Sequence, residues 1–163
     1  MLFSADGSKI GFLHKGNLWE MNPDGSDAKQ VSKVSMNGFQ YSPAGNRLLY
    51  IADVKYDKTT QDHHPDLKKA EAKVIDGLMY RHWNEWEDGA YSNIFVADYA
   101  NGQFRSEPIN IMGEPHDSPL KPFGGMEQIS WNHDGSVVAY TCKKVRGKDY
   151  TVSTNSDIYL YNI

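Results

Sequence analysis

Apolar and polar residues alternate along most of this chain in short runs, the period of strands with one face in a core and one face out. One arrangement of such runs occurs three times. Phe3–Phe12, read FSADGSKIGF, returns as Tyr41–Tyr50, YSPAGNRLLY, and as Trp131–Tyr140, WNHDGSVVAY. Each time an aromatic closes one run, a polar turn ending in Gly follows, and a second run ends on another aromatic. That is a β-hairpin recurring at long intervals. Asp6-Gly7, Ala44-Gly45 and Asp134-Gly135 put Gly where a tight turn needs positive φ, and Pro43 pre-sets the first turn residue of its copy.

Each hairpin opens a longer unit. In the first, Asn17–Asn22 is a third alternating strand, and a turn over Pro23–Ser26 leads to a short fourth at Ala28–Val31. The second unit has strands at Asn37–Tyr41 and Arg47–Val54, then loses the period of two from Lys55 to Gly89. Within that interval Leu67, Ala70, Val74, Ile75 and Leu78 fall at helical spacing behind Pro65-Asp66, which predicts a helix that Gly77 loosens or stops. The strand pattern resumes at Ser92–Asp98, turns at Asn101-Gly102, and leaves Ser106–Met112 for a fourth strand. After the connector Pro115–Phe123, the third unit has strands at Glu127–Trp131, Val137–Cys142 and Ser156–Asn162, with a polar loop over Lys143–Asn155 and no fourth strand.

The pattern predicts an all-β chain of three consecutive four-stranded antiparallel propeller blades. Blade one spans residues 1–34, and blade two spans 35–114 with a helical insertion at 55–89. Blade three, 115–163, is incomplete. Three blades are fewer than the four to eight that close a propeller. Self-association through exposed blade edges or the unfinished third sheet is therefore expected.

Composition narrows the functional classes. The 163 residues carry a net charge of −4, with Lys and Arg scattered among the acids, which speaks against nucleic acid as a partner. Ten Tyr, six Phe and four Trp favour sheet. The single Cys142 excludes an internal disulfide and a Cys-based zinc site, and its place in a strand reads as a buried thiol. No apolar run approaches the ~20 residues of a membrane span, so no membrane partner is expected. Asp62-His63-His64 offers metal-ligand types but no third ligand at a fixed spacing, so no metal or cofactor is assigned. Asp134 beside His133 is accounted for by turn chemistry, and Gly124-Gly125 by a connector followed by a strand.

The densest run of aromatic and ionisable residues is Met79–Gly89, containing Tyr80, Arg81, His82, Trp83, Glu85, Trp86 and Glu87. A purely structural reading has Trp83 and Trp86 filling the gap beside the helix while Arg81 pairs with Glu85 or Glu87. A functional reading makes the same residues a substrate contact.

The repeated turn followed by Lys/Arg-Ile/Leu-x-Phe/Tyr resembles the repeats of TolB-type propellers. The stretch Asp76–Gly89 is similar to an insertion in the N-terminal propeller of the prolyl oligopeptidase family of serine peptidases, nearest its dipeptidyl-peptidase branch. The resemblance implies a propeller that gates and orients peptide substrates for a separate C-terminal α/β-hydrolase domain, in a periplasmic or secreted enzyme. It also implies that insertion carboxylates bind the substrate's free α-amine. Glu85 and Glu87 supply those carboxylates here, with Trp83 and Trp86 as walls and Arg81 or His82 beside them. The sequence contains no Gly-x-Ser-x-Gly elbow, so the chain alone is expected to be inactive. A TolB-like protein-docking module and a propeller enzyme of another type, such as a carbohydrate lyase, are the alternatives.

Overall fold

The three recurring turns fold alike in the computed structural model, which describes Met1–Ile163. The amides of Gly7, Gly45 and Gly135 donate to the carbonyls of Ser4, Ser42 and Asn132 at 2.9, 2.9 and 3.2 Å, with φ of +71°, +73° and +73° at the glycines. The amides of Lys9, Arg47 and Val137 donate to the side-chain oxygens of Ser4, Ser42 and Asn132 at 2.9, 3.0 and 2.9 Å. A short polar side chain thus closes each turn, and Asn serves in the third as Ser does in the others.

The first sheet contains β1 (Leu2–Phe3), β2 (Ile10–His14), β3 (Asn17–Met21) and β4 (Lys29–Gln30), in that spatial order. β5 (Gly38–Tyr41) and β6 (Arg47–Lys55) begin the second. An excursion then carries helix α1 (Thr60–His63) and a small hairpin of β7 (Arg81–His82) and β8 (Glu85–Trp86). The chain returns as β9 (Ala90–Ala100), which pairs with β6 from Arg47↔Asp98 to Lys55↔Ala90. Residues 56–89 are therefore spliced between two neighbouring strands. β10 (Gln103–Phe104) and β11 (Ile109–Asn110) both pair with β9. The third sheet is β12 (Ile129–Trp131), β13 (Val137–Cys142) and β14 (Asp157–Asn162), with helix α2 (Gly147–Val152) between the last two.

The middle sheet is buried on both faces, which is why β6 reads as a nearly continuous apolar run while β13 alternates. Leu48 and Tyr50 join Leu18, Met36, Phe39 and Tyr99 in a core shared with the first sheet. Their neighbours Leu49 and Ile51 point the other way, joining Ile94, Val96, Ile129, Val138 and Tyr140 in a core shared with the third. Burying each such side chain contributes about 1.5–3 kcal/mol. Gly11 lets the first two sheets approach closely, since a Cβ there would lie 2.5 Å from the Tyr41 hydroxyl and 2.9 Å from the Phe39 ring. Buried Glu20 of β3 accepts from the hydroxyls of Tyr41 and Tyr99 at 2.7 and 2.8 Å across the same junction. At the second junction, Arg47 Nη1 donates to Gly135 O at 3.3 Å and Gln40 Nε2 donates to Ile129 O at 3.0 Å.

The predicted helix over Leu67–Leu78 does not form. Leu67, Val74, Ile75 and Leu78 are all exposed, so the apolar stripe has no surface to pack against, and an isolated helix of that length is marginal in water. Its backbone is held instead by α1: Gln61 Nε2 donates to Ala70 O and Ala72 O, and Val74 N donates to Thr60 Oγ1 at 2.8 Å. Thr59 caps α1 in a reciprocal capping box with Asp62. The expected fourth strand over Ser106–Met112 shortens to β11, and the expected polar loop Lys143–Asn155 contains α2. Cys142 is fully buried, as its strand position predicts.

Candidate functional site

The excursion leaves the second sheet through a narrow neck. The amides of Tyr56 and Asp57 both donate to Gly89 O, at 2.9 and 3.1 Å. Gly89 has φ of +78°, and a Cβ there would sit 2.2 Å from Asp57 O, so no other residue closes the neck without moving the backbone. Beyond it, residues 56–89 arch over the loops that precede β12 and follow β13. Between them lies a cavity of about 660 Å³, in the size range of small-ligand sites.

The loop before β12 brings His116, Asp117 and Lys121 to the cavity. Asp117 is fixed from below, because Ser92 N of β9 donates to its Oδ1 at 2.8 Å, and Lys121 Nζ stands 3.4 Å from the same oxygen. Fully buried Asn93 anchors the same loop, with Nδ2 donating to Glu114 O and His116 O at 3.3 and 3.1 Å. Its Oδ1 accepts from Tyr56 and Asn110. The loop after β13 supplies Arg146 and Tyr150. Arg146 pairs with Asp57 and also donates to the Tyr91 hydroxyl at 3.0 Å, and so clasps the third sheet's loop to the base of the excursion.

Glu87 of the excursion completes the acidic side. Burial raises its carboxyl above the ordinary glutamate range, and the negative charge of Asp117 adds to the shift. Burial also raises Asp117, and outweighs the pull of Lys121 in the other direction. Lys121 is held protonated to higher pH by Asp117, Asp53 and Glu87, although burial works against its charge. Burial pushes the Tyr150 hydroxyl up to about 12, with help from Asp117 and Glu87, and lowers the imidazole of His116. Two carboxylates that each resist ionisation thus stand beside Lys121, in a lining that also carries Lys58, Lys73, Lys143 and Arg146.

Of the six residues singled out in the sequence, His82, Trp86 and Glu87 line this cavity. The other three do not. The β7–β8 register places Arg81 opposite Trp86 and His82 opposite Glu85. Arg81 therefore lies over the Trp86 ring at 5.3 Å and makes no ion pair with Glu85 or Glu87. Glu85 is exposed on the outer hairpin strand. Trp83, at the hairpin tip with φ of +51°, is exposed and meets only the edge of Phe123, 5.7 Å away. Nor do Trp83 and Trp86 fill a gap beside a helix, since both are exposed and that helix is absent. Asp117, Lys121, Arg146 and Tyr150 had no signal beyond residue type, because they sit in segments that read as a connector and a polar loop.

Fold and cavity together define a mostly-β repeat protein with a cavity capped by an insertion. No family model matches the chain. Among solved structures it is similar to the acylaminoacyl peptidase of Pyrococcus horikoshii, with a TM-score of 0.62 and 17% identity over 99% of this chain and 23% of that one, a likeness of fold. In sequence it is 40% identical over 165 aligned positions to dipeptidyl-peptidase 5 of Porphyromonas gingivalis, covering 98% of this chain and 24% of that protein. To dipeptidyl-peptidase 5 of Porphyromonas endodontalis it is 37% identical, covering 97% and 24%. The chain spans about a quarter of the length of these relatives. The resemblance to a dipeptidyl-peptidase 5-like propeller segment of the prolyl oligopeptidase family, read from the turns and from Asp76–Gly89, is thereby borne out.

Proposed function

We propose that the three stacked sheets are consecutive propeller blades, over residues 1–34, 35–114 and 115–163, and that this chain is the substrate-orienting, non-catalytic part of a serine exopeptidase. Peptides enter past the excursion. Their free α-amine is held by Glu87 and Asp117, and bond cleavage falls to a separate α/β-hydrolase domain. The observation that carries this reading is the convergence of Glu87, from the insertion, with Asp117, from the third unit, in one cavity where burial makes both carboxylates seek a cation. An ammonium group with three donors satisfies them and leaves Lys121 in place. Trp86 and Tyr150 supply flat walls for the residues behind the amine. A carboxylate at the cavity rim distinguishes a free amine from a blocked one, because an acetylated terminus brings neither the charge nor the donors of an ammonium group.

The test is the affinity of this chain for alanyl-alanine amide and for its N-acetyl form, measured by isothermal titration. The free amine is expected to bind more tightly, and Glu87→Gln to weaken it by about 10-fold, the effect of losing one charge-assisted hydrogen bond. Glu85→Gln should change little, because Glu85 lies outside the cavity. In a full-length enzyme carrying this segment, Glu87→Gln should lower kcat/KM for free-amine substrates more than for N-blocked ones. Equal losses on both would assign Glu87 to bracing the fold and overturn the proposal.

A further inference from the structure

Lys121 stands beside the two carboxylates of the candidate site without a task of its own. It reaches the cavity from a loop pinned on either side of it: Ser118 N donates to Ser92 O of β9 at 2.9 Å, and Leu120 N donates to Gln128 Oε1 at 2.8 Å. From there its Nζ donates to Ala90 O, at the start of β9, at 3.1 Å and lies 3.4 Å from Asp117 Oδ1. The ammonium group is thus held at the seam between the second sheet and the loop before β12. The Lys121 side chain is 32% exposed and that of Asp117 10%, so solvent screens the pair less than it would on an open surface.

This placement has two consequences. The first is geometric: both donors that the chain offers to Asp117, Ser92 N and Lys121 Nζ, meet the same oxygen, Oδ1, and leave Oδ2 for a ligand. The second is electrostatic. An ionised carboxylate only accepts, whereas a protonated carboxyl carries a donor that an ammonium group cannot use. Burial drives Asp117 and Glu87 toward the protonated form, and nearby negative charges push the same way: Asp53 of β6 on Asp117, and Asp117, Asp88 and Glu85 on Glu87. Lys121 opposes the shift at both.

The other groups around the cavity are engaged elsewhere. Lys143 donates to Tyr150 O and Ser153 O at the end of α2, and Arg146 is paired with Asp57. On the excursion, Lys73 lies over the Trp86 ring at 5.3 Å and Lys58 is exposed. Tyr150 keeps its proton throughout the acid and neutral range, and burial makes the imidazole of His116 harder to charge.

We propose, on the reading that the cavity takes a peptide's α-amine, that Lys121 is a positioning residue for it. Its ammonium group holds Asp117 with Oδ2 free, and its charge keeps Asp117 and Glu87 nearer the carboxylate form that an incoming ammonium group needs. In the filled site two carboxylates then face two ammonium groups, and their charges balance. Without Lys121 both carboxyls take up protons at higher pH, so amine capture is displaced to higher pH as well. A residue that merely braced the loop would not move that pH dependence.

The test is the affinity of the 163-residue chain for alanyl-alanine amide, by isothermal titration from about pH 4 to 7, where the α-amine of the ligand stays charged. Affinity is expected to rise with pH as the carboxyls ionise. Lys121→Met should move the midpoint of that rise up by about one pH unit, seen as about 10-fold weaker binding on its acid side, and Lys121→Arg should restore it. Equal weakening at every pH, with the midpoint unmoved, overturns the proposal and makes Lys121 a brace of the loop. The side-chain carboxyl carbons of Asp117 and Glu87, followed by NMR in the ligand-free chain, give a second readout. Both titrations should move up in Lys121→Met, and unmoved titrations overturn the proposal whatever the ligand does. Titrations that move while alanyl-alanine amide and its N-acetyl form bind alike support the action of Lys121 on the carboxyls and overturn the amine reading instead.

Discussion

The stacked sheets and the excursion at 56–89 solve the same problem in opposite ways. In the sheets, every central strand finds a partner face, and the apolar positions of β6 are consumed in alternation by the cores on either side. In the excursion, Leu67, Val74, Ile75 and Leu78 find no partner, and the backbone is held by side chains of α1 and by the neck at Gly89. Stability in one region comes from area removed from water, and in the other from a few hydrogen bonds at the ends of a long loop. Most of the lining of the candidate binding cavity is built on the second kind of structure.

Equal truncations on either side should give the largest contrast. Leu49→Ala, fully buried between the second and third sheets, is expected to cost about 2–5 kcal/mol in chemical denaturation, whereas Leu67→Ala, exposed on the excursion, should stay within about 0.5 kcal/mol. Similar costs for both would mean that the excursion has a core of its own.

A second contrast separates the neck from the body of the excursion. Gly89→Ala must move Asp57 or strain a backbone at positive φ, and should cost about 1–3 kcal/mol and speed amide exchange across residues 56–89. Gly77→Ala meets nothing within 4 Å and should be neutral in both measurements. If Gly77→Ala instead slowed exchange over 67–78, the predicted helix would be a state that Alanine rescues.

The smallest effect concerns Glu87. Its carboxyl is raised in the folded chain, so the folded state binds that proton more readily than the unfolded one. The stability it contributes is therefore complete below its ordinary value of 4.5 and is lost as pH rises through the raised value. Glu87→Gln removes that loss. The variant should melt at or slightly above the parent at pH 7 by less than ~1 kcal/mol, because solvent at the cavity rim screens the group, and the difference should vanish on acidification below pH 4.5. A destabilised variant at neutral pH would mean that Glu87 has a partner holding it ionised.

The repeats were legible because their information is local. Gly7, Gly45 and Gly135, each preceded by a short polar side chain that closes the turn, specify a hairpin without reference to anything distant. The alternation of the flanking runs then fixes which face is buried. The helix at 67–78 was misread for the complementary reason: its spacing and propensity are good, and only the absence of a packing surface, a tertiary fact, decides against it. In the site, Glu87, Trp86 and His82 could be found because they lie in a conspicuous run. Asp117 could not, since its role depends on Ser92 and Asn93 of a strand 24 or more residues earlier, and on a loop that looks like a connector. Arg81 was misplaced by counting along the chain where the hairpin register decides.

The Glu20 carboxylate between the first and second sheets works as an address label. It accepts from the hydroxyls of Tyr41 and Tyr99, and the third sheet offers an indole at the position of Tyr41. At its own junction that indole, Trp131 Nε1, is buried with no acceptor, opposite a core that has Val96 where the first sheet has Glu20. Modules that look interchangeable in their turns thus differ at one polar position, and a chain with its second and third sheets exchanged would offer Glu20 one indole N–H in place of the Tyr41 hydroxyl.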